Sequence, residues 1–230
     1  MRMKFALVGA PGVDACTLGR LLASRLGVQH VSVRRLVDLE VRNHTALGLE
    51  LGRQLQPGGL LPFHLVAPLL DQLWTSSGPP SRFVLSGYPR SQQQWRHLRR
   101  HTDLTHILHI RSGAEFLRSS VAQRCVCPTC AAGLYPDDLA LHDGSVLPAV
   151  LDCCGSTQEP ARSARDELPA FEARLQAYEQ TTRPWLESMR ETGLVKEVHA
   201  DARWPQIFPV VEKLLGLPPT VAAESESALA

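Results

Sequence analysis

The chain begins with an apolar run, Lys4–Gly9 (KFALVG), and similar short runs recur at His30–Val33, Arg82–Ser86, Thr105–Ile110 and Val195–His199. Continuous runs of this length predict strands covered on both faces. Between them the apolar positions change to helical spacing at Leu18–Leu26, at Leu65–Leu73 and over the long stretch Glu167–Arg190. In that stretch Phe171, Leu175, Tyr178 and Trp185 share a face while Glu172, Arg174 and Glu179 lie elsewhere, which predicts one long amphipathic helix. Strands alternating with helices predict an α/β fold with a parallel sheet flanked by helices. Turn-forming residues mark breaks at Gln56–Pro62, Ser76–Ser81 (SSGPPS) and Ala200–Pro205. The segment Cys125–Arg162 is rich in Cys, Pro, Gly and Asp and lacks helical period. It reads as a small inserted lobe that something other than a large core must hold together. The stretch from Pro218 to Ala230 is rich in Pro, Ala and Ser and is expected to be a disordered tail.

At 230 residues, 44% hydrophobic and 20% charged, the chain can bury one sizeable core. A net charge of +1 gives no strong attraction to nucleic acid or to an anionic membrane. No apolar run approaches the roughly 18 residues of a membrane span. KFALVG is too short for a signal peptide and runs straight into a glycine turn. The expectation is a protein that is not secreted, with no membrane insertion and no nucleic-acid partner. It would reside in the cytoplasm or an organelle interior, a mitochondrion or cilium included.

The first strand leads into Gly9-Ala10-Pro11-Gly12, and a helix follows from Thr17. Strand, glycine turn and helix are the parts of a phosphate-binding loop. That pattern requires Gly at position 14 and Lys at position 15, where this chain has Asp14 and Ala15. The shape is kept while the positive charge is lost.

Five of the six cysteines (Cys125, Cys127, Cys130, Cys153 and Cys154) fall in the inserted lobe, and Cys16 lies in the phosphate loop. Such clustering favours a metal over a disulfide framework. Cys127-Pro128-Thr129-Cys130 is a C-x-x-C half-site for tetrahedral zinc. The nine histidines are dispersed without catalytic spacing and are expected at core or edge positions.

Five segments, in order, resemble the long form of adenylate kinase among the nucleoside monophosphate kinases. GAPGVDACT (Gly9–Thr17) is similar to that family's GAPGSGKGT, and LQPGGLLP (Leu55–Pro62) to MDxGxLVP. LSGYPRSQQQ (Leu85–Gln94) resembles LDGFPRTxxQ, and QRCVCPTC (Gln123–Cys130) resembles the start of the zinc-bearing lid. ARLQAYEQTTRPWLE (Ala173–Glu187) resembles its RLxxYxxxTxPL helix. The resemblance implies a core (1–30, 62–123 and 163–217), a helical monophosphate lobe (31–61), a lid (124–162) and the tail (218–230). It implies transfer of the ATP γ-phosphoryl to a nucleoside monophosphate with Mg²⁺. It also implies a structural zinc whose second half-site is LDCCG, with Cys154 in register and Cys153, Cys125 or Asp152 as the fourth ligand. Reduced thiols without metal, or a disulfide, remain the alternatives for the lobe.

Arg90, Arg124 and Arg174 match the family's phosphate-contacting arginines. Gly9, Gly12 and Thr17 match its phosphate loop, and Gly87 and Gln94 match positions lining the monophosphate. Other positions depart. Besides Asp14 and Ala15, the first-lobe Arg falls at Asp38 and its acidic partner at Arg35. The Mg²⁺-organising Asp is Ser86, the adenine-stacking Arg is Ser120, and a second lid Arg falls near Ser163, beside Arg162 and Arg165. The expectation is a catalytically impaired relative serving as a structural or accessory subunit of a larger assembly, with ATP and Mg²⁺ binding vestigial or absent. The alternatives are a monophosphate kinase of low or altered activity, or a kinase for another acceptor using the three arginines.

Overall fold

The computed structural model describes residues 3–54, 61–75, 78–130, 132–141, 143–199 and 201–218. Most of LQPGGLLP, Ser76 and Ser77 of SSGPPS, Ala200 and nearly all of the expected tail therefore lie outside the described residues.

Five strands form the central sheet: β1 (Lys4–Gly9), β2 (Gln29–Ser32), β3 (Phe83–Ser86), β4 (His106–Arg111) and β9 (Val195–His199). Their order is β2-β3-β1-β4-β9, and every pairing is parallel. The sequence runs anticipated all five, with β2 starting one residue earlier than His30. The sheet separates two apolar cores by simple alternation. Ala6, Val8, Phe83, Leu85 and Ile107 face one core, and Phe5, Leu7, Val84, Leu108 and Ile110 face the other. A strand buried on both sides must be apolar at consecutive positions, and KFALVG meets that demand.

Helix α1 (Ala15–Leu26) follows β1 directly. It ends where Gly27 takes φ 60° and Val28 N–H reaches back to the Ala23 carbonyl at 2.9 Å, a glycine stop that satisfies the final carbonyls. Helices α2 (Val33–Arg42) and α3 (Ala46–Gln54) leave the sheet after β2. Helices α4 (Phe63–Trp74) and α5 (Gln92–His101) cover the first core with Leu65, Leu69, Leu70, Trp74, Trp95 and Leu98. Helix α6 (Ala114–Gln123) and helix α9 (Trp204–Leu214) cover the second with Phe116, Leu117, Ile207 and Val211.

The long helix expected over Glu167–Arg190 is instead three pieces. Helix α7 (Leu168–Ala177) passes into a π turn at Tyr178–Thr182, and α8 (Arg183–Ser188) resumes. Pro184 explains the break. It has no N–H for the Gln180 carbonyl four residues back, and its ring crowds that turn. One extra residue enters the turn, and Arg183 N–H bonds the Tyr178 carbonyl five residues back.

The segment between α6 and residue 163 carries no helix among the described residues. It contains two small antiparallel ladders, β5 (Cys125–Val126) with β6 (Gly133–Leu134) and β7 (Leu139–Ala140) with β8 (Val146–Leu147). Bridges Val126–Ala161 and Tyr135–Val150 tie it together, over a small core that includes Cys127, Leu134, Tyr135 and Val150.

Candidate functional site

The glycine turn after β1 has the conformation its sequence requires. Gly12 lies at φ 96°, and Asp14 immediately before α1 lies at φ 50°, ψ 39°, in the left-handed region. The phosphate-loop pattern places its second glycine here, and among side-chain-bearing residues Asp is one of the few that tolerate this conformation. The backbone path thus survives the replacement, while the carboxylate enters the loop's mouth. Thr17 is buried with no hydrogen-bond partner for its Oγ1.

Asp14 is 8% exposed and fully engaged. Arg124 donates to its Oδ1 from Nη2 at 2.6 Å and from Nε at 2.9 Å, and Tyr135 donates its hydroxyl to Oδ2 at 2.5 Å. The opposite edge of Arg124 donates from Nη1 to Asp166 at 2.6 Å. Burial alone would weaken the protonated form of Arg124, but Asp14 and Asp166 outweigh it and hold its pKa above the ordinary value. Burial and the Asp14 charge raise the Tyr135 phenol, which stays neutral and donating. Tyr135 also bonds Ser120. Gly133 lies so close that a Cβ there would overlap the Asp14 carboxylate and stand 2.8 Å from Arg124 Nε.

The three arginines singled out by the sequence have different fates. Arg124 is taken up as above. Arg174 donates to Asp166 at 3.1 Å and to the Arg165 carbonyl at 2.6 Å, which leaves its buried Nε without a partner. Arg90 has no ion pair among the described residues. Its Nε donates to the Gly87 carbonyl at 3.0 Å, and its backbone N–H donates to Gln94 Oε1 at 2.7 Å. Burial lowers the Arg90 pKa. A groove beside it is lined by Leu61, Phe63, Gln94, Gln180, Thr181 and Trp185, so the π turn contributes two polar side chains to that wall. Gly87 sits at φ 82° at the start of this segment.

Several of the other departures have local partners. Ser86 Oγ is 2.9 Å from His30 Nε2. Burial, then Arg35 and Arg20, brings the His30 pKa down to about 4. Asp38 accepts from Arg34 at 2.8 Å on the half-exposed face of α2. Arg162 donates to the Ala122 carbonyl. Arg165 donates its backbone N–H to Ser163 Oγ at 3.3 Å.

Sequence reasoning did not identify Arg203 or Trp204. Arg203 is 1% exposed. It donates to the carbonyls of Pro148 at 2.6 Å, Asp137 at 2.9 Å and Leu147 at 3.4 Å, and to Gln123 Oε1 at 2.7 Å. Its guanidinium lies 4.5 Å from the centre of the Tyr135 ring. Trp204 donates its indole N–H to the Gly133 carbonyl at 3.0 Å. Both residues stand at the start of α9, so the core holds the cysteine segment from below while Asp14 holds it at the loop. An isolated Arg before Trp-Pro carries no sequence signal for this, because its partners are backbone carbonyls distant in the chain.

Four of the cysteines converge. The sulfurs of Cys127, Cys130, Cys153 and Cys154 all lie within 4.8 Å of one another. Three of the separations are 3.3 Å (Cys130–Cys153), 3.8 Å (Cys127–Cys154) and 3.8 Å (Cys153–Cys154). Thiolates about 2.3 Å from one tetrahedral ion would be about 3.8 Å apart, so the cluster has the spacing such an ion requires. All six cysteines are free thiols. Cys125 pairs with Leu134 in β5 and stands outside the cluster. Asp152 Oδ1 accepts from the backbone N–H of Cys153 and Gly155, which occupies the carboxylate in the turn. Burial opposes ionisation of Cys127, yet backbone N–H groups of Cys130 and Thr129 reverse the balance and lower its pKa to about 6.

A parallel sheet with a glycine turn and helix at the end of β1, a GYPR segment after β3 and a cysteine-bearing insertion after α6 define a P-loop nucleotide-kinase fold. A family model for adenylate kinase matches residues 7–194, and the chain belongs to that family. Among its relatives are the adenylate kinase of Clostridium beijerinckii, 25% identical over 220 residues spanning 93% of this chain and 99% of the relative. That of Caldanaerobacter subterraneus subsp. tengcongensis is 25% identical over 218 residues (93% and 96%). That of Carboxydothermus hydrogenoformans is 24% identical over 218 residues (93% and 99%).

Proposed function

We propose that this chain is a catalytically impaired member of the adenylate kinase family, serving as a structural or accessory subunit of a larger assembly with at most vestigial nucleotide binding. The observation that carries this reading is the Asp14 carboxylate, held in the mouth of the phosphate loop by Arg124 and Tyr135. Phosphoryl transfer depends on positive charge aimed at the transferring group. Here Ala15 supplies none, and Asp14 adds a negative charge where a β-phosphate would lie. Arg124 and Arg174 remain, but Asp14 and Asp166 neutralise them. Ser86, bonded to His30, offers no carboxylate to organise Mg²⁺ and its waters. The orphaned Thr17 hydroxyl is compatible with a Mg²⁺-nucleotide, but the carboxylate beside it is not, so the residues present do not fit ATP with Mg²⁺. On this reading the core comprises 1–30, 62–123 and 163–217, the monophosphate lobe 31–61 and the lid 124–162.

The lid cysteines fit zinc, and Cys127, Cys130, Cys153 and Cys154 would hold it with no open coordination position, as a staple for a lobe with a small core.

A second reading, a monophosphate kinase of low or altered activity, draws on Arg90. It alone among the three arginines has no carboxylate partner among the described residues, and it faces the groove with Gln94. The experiment is ATP titration calorimetry and ATP-to-AMP phosphotransfer on the wild type and on Asp14→Gly/Ala15→Lys. The proposal expects no turnover and weak or absent ATP binding in the wild type, with binding recovered at least tenfold in the double variant. Mg²⁺-dependent wild-type turnover of roughly 1 s⁻¹ or more, within the range of ordinary kinases, would establish the second reading.

A further inference from the structure

On the far side of the fold from the cysteine segment, α4 and α5 bring together three side chains that the phosphate loop and the lid do not use. His97 and His101 are four residues apart on α5 and therefore share a helix face. Asp71 of α4 meets both: its Oδ1 is 2.9 Å from His97 Nε2 and 2.7 Å from His101 Nε2. All three donor atoms lie within 4.8 Å of one another. The other ring nitrogen of His97 is also engaged, with Nδ1 2.9 Å from the buried Tyr88 hydroxyl. The His97 and His101 rings pack edge-on with centres 5.1 Å apart, and the His101 ring lies 5.5 Å from Trp74.

We propose that Asp71, His97 and His101 form a binding site for a divalent transition ion of the zinc class, bridging α4 and α5. Two imidazoles and a carboxylate are the donor set such ions favour. Donors about 2.0–2.1 Å from one tetrahedral ion are about 3.3 Å apart, so Asp71 Oδ1, now 2.9 Å and 2.7 Å from the two imidazole nitrogens, needs to part from each by about half an ångström. Without metal, each Nε2–H donates to Asp71. With metal, each Nε2 becomes a ligand and the proton resides on Nδ1, where for His97 it is donated to Tyr88. Tyr88 thus orients a ligand from behind, as a carboxylate or carbonyl does in other histidine metal sites. His97 is buried, while Asp71 and His101 are partly exposed and give the ion a way in. Three protein ligands leave one coordination position open to water.

The test is titration of the full-length, chelator-stripped protein with Zn²⁺ alone, counting bound ions by native mass spectrometry, and with Co²⁺ to separate the sites by absorption. Cobalt on the lid thiolates gives a sulfur charge-transfer band, and cobalt on imidazole and carboxylate does not. The wild type is expected to bind one ion outside the thiolate cluster. Asp71→Asn keeps the shape and one acceptor oxygen, and His101→Ala alters a partly exposed position. Each should weaken that ion at least tenfold with the thiolate band unchanged, and Tyr88→Phe should weaken it about 10–100-fold. The proposal is overturned if the wild type binds no ion outside the thiolate cluster, or if Asp71→Asn and His101→Ala bind that ion as the wild type does.

Discussion

At position 14 the backbone must turn left-handed and the loop must leave room for a phosphate. Glycine meets both demands, and Asp14 meets only the first. Its carboxylate then needs partners in a buried place, and Arg124, Tyr135 and the close approach of Gly133 supply them. Removing one member of a buried charge cluster costs about 3–5 kcal/mol, because the others stay buried without compensation. Asp166 serves two guanidiniums, so Asp166→Ala should lose that much stability in urea denaturation. Asp14→Gly should lose less, since Arg124 keeps Asp166 and glycine relieves left-handed strain of about 1 kcal/mol. Gly133→Ala should destabilise by about 1–3 kcal/mol through overlap with the Asp14 carboxylate, and equal denaturation midpoints would contradict the packing described. That the loop lacks its lysine was legible in the chain. That its aspartate is neutralised was not, because its partners lie 110 and 121 residues away.

Elements were more legible than their junctions. The five strands followed from apolar runs because a doubly covered strand has no polar face to offer. The break in the long helix was missed because one extra residue in a turn barely alters apolar spacing, although Pro184 was a visible sign. The cysteine segment is an element held by contacts rather than by a core. Arg203→Ala would leave three backbone carbonyls and Gln123 without their buried donor, a loss of about 3 kcal/mol given the strength of charge-assisted hydrogen bonds. Amide exchange over residues 133–150 should accelerate in this variant while β1 and β4 stay protected. Uniform exchange across both regions would count against a segment docked through Arg203. If zinc occupies the four cysteines, a chelator should increase proteolysis within 125–161 and leave the central sheet intact.

For the molecule as a whole, imidazoles whose pKa burial lowers shape the response to acid, His30 and His109 among them. His30 is brought to about 4 by burial, Arg35 and Arg20, while burial lowers His109 against the pull of Glu197, with Tyr178 2.6 Å from its Nε2. In the unfolded chain histidine titrates near 6.5. Between pH 6.5 and 4 the unfolded state therefore binds protons that the folded state refuses, and stability falls as pH falls. The stability is fully present above about pH 6.5 and is lost toward pH 4, with His30 alone accounting for up to about 2–3 kcal/mol. Urea midpoints at pH 7.5 and pH 4.5 test this: the lower pH should give the lower midpoint, and His30→Gln should shrink the difference. Identical midpoints would show that neither imidazole is held neutral by the fold.

The chain by itself determined the parallel sheet, the glycine turn and helix, the absent lysine and a C-x-x-C half-site. These are local matters, decided by the spacing of apolar residues and by the few side chains a turn or half-site admits. The tertiary structure alone decided which charges meet, which four cysteines converge, and how Arg203 and Trp204 hold the insertion to the core. Those outcomes depend on distances between residues far apart in sequence, and buried charges and thiols take whatever partners the packed sheet and its insertion bring within reach.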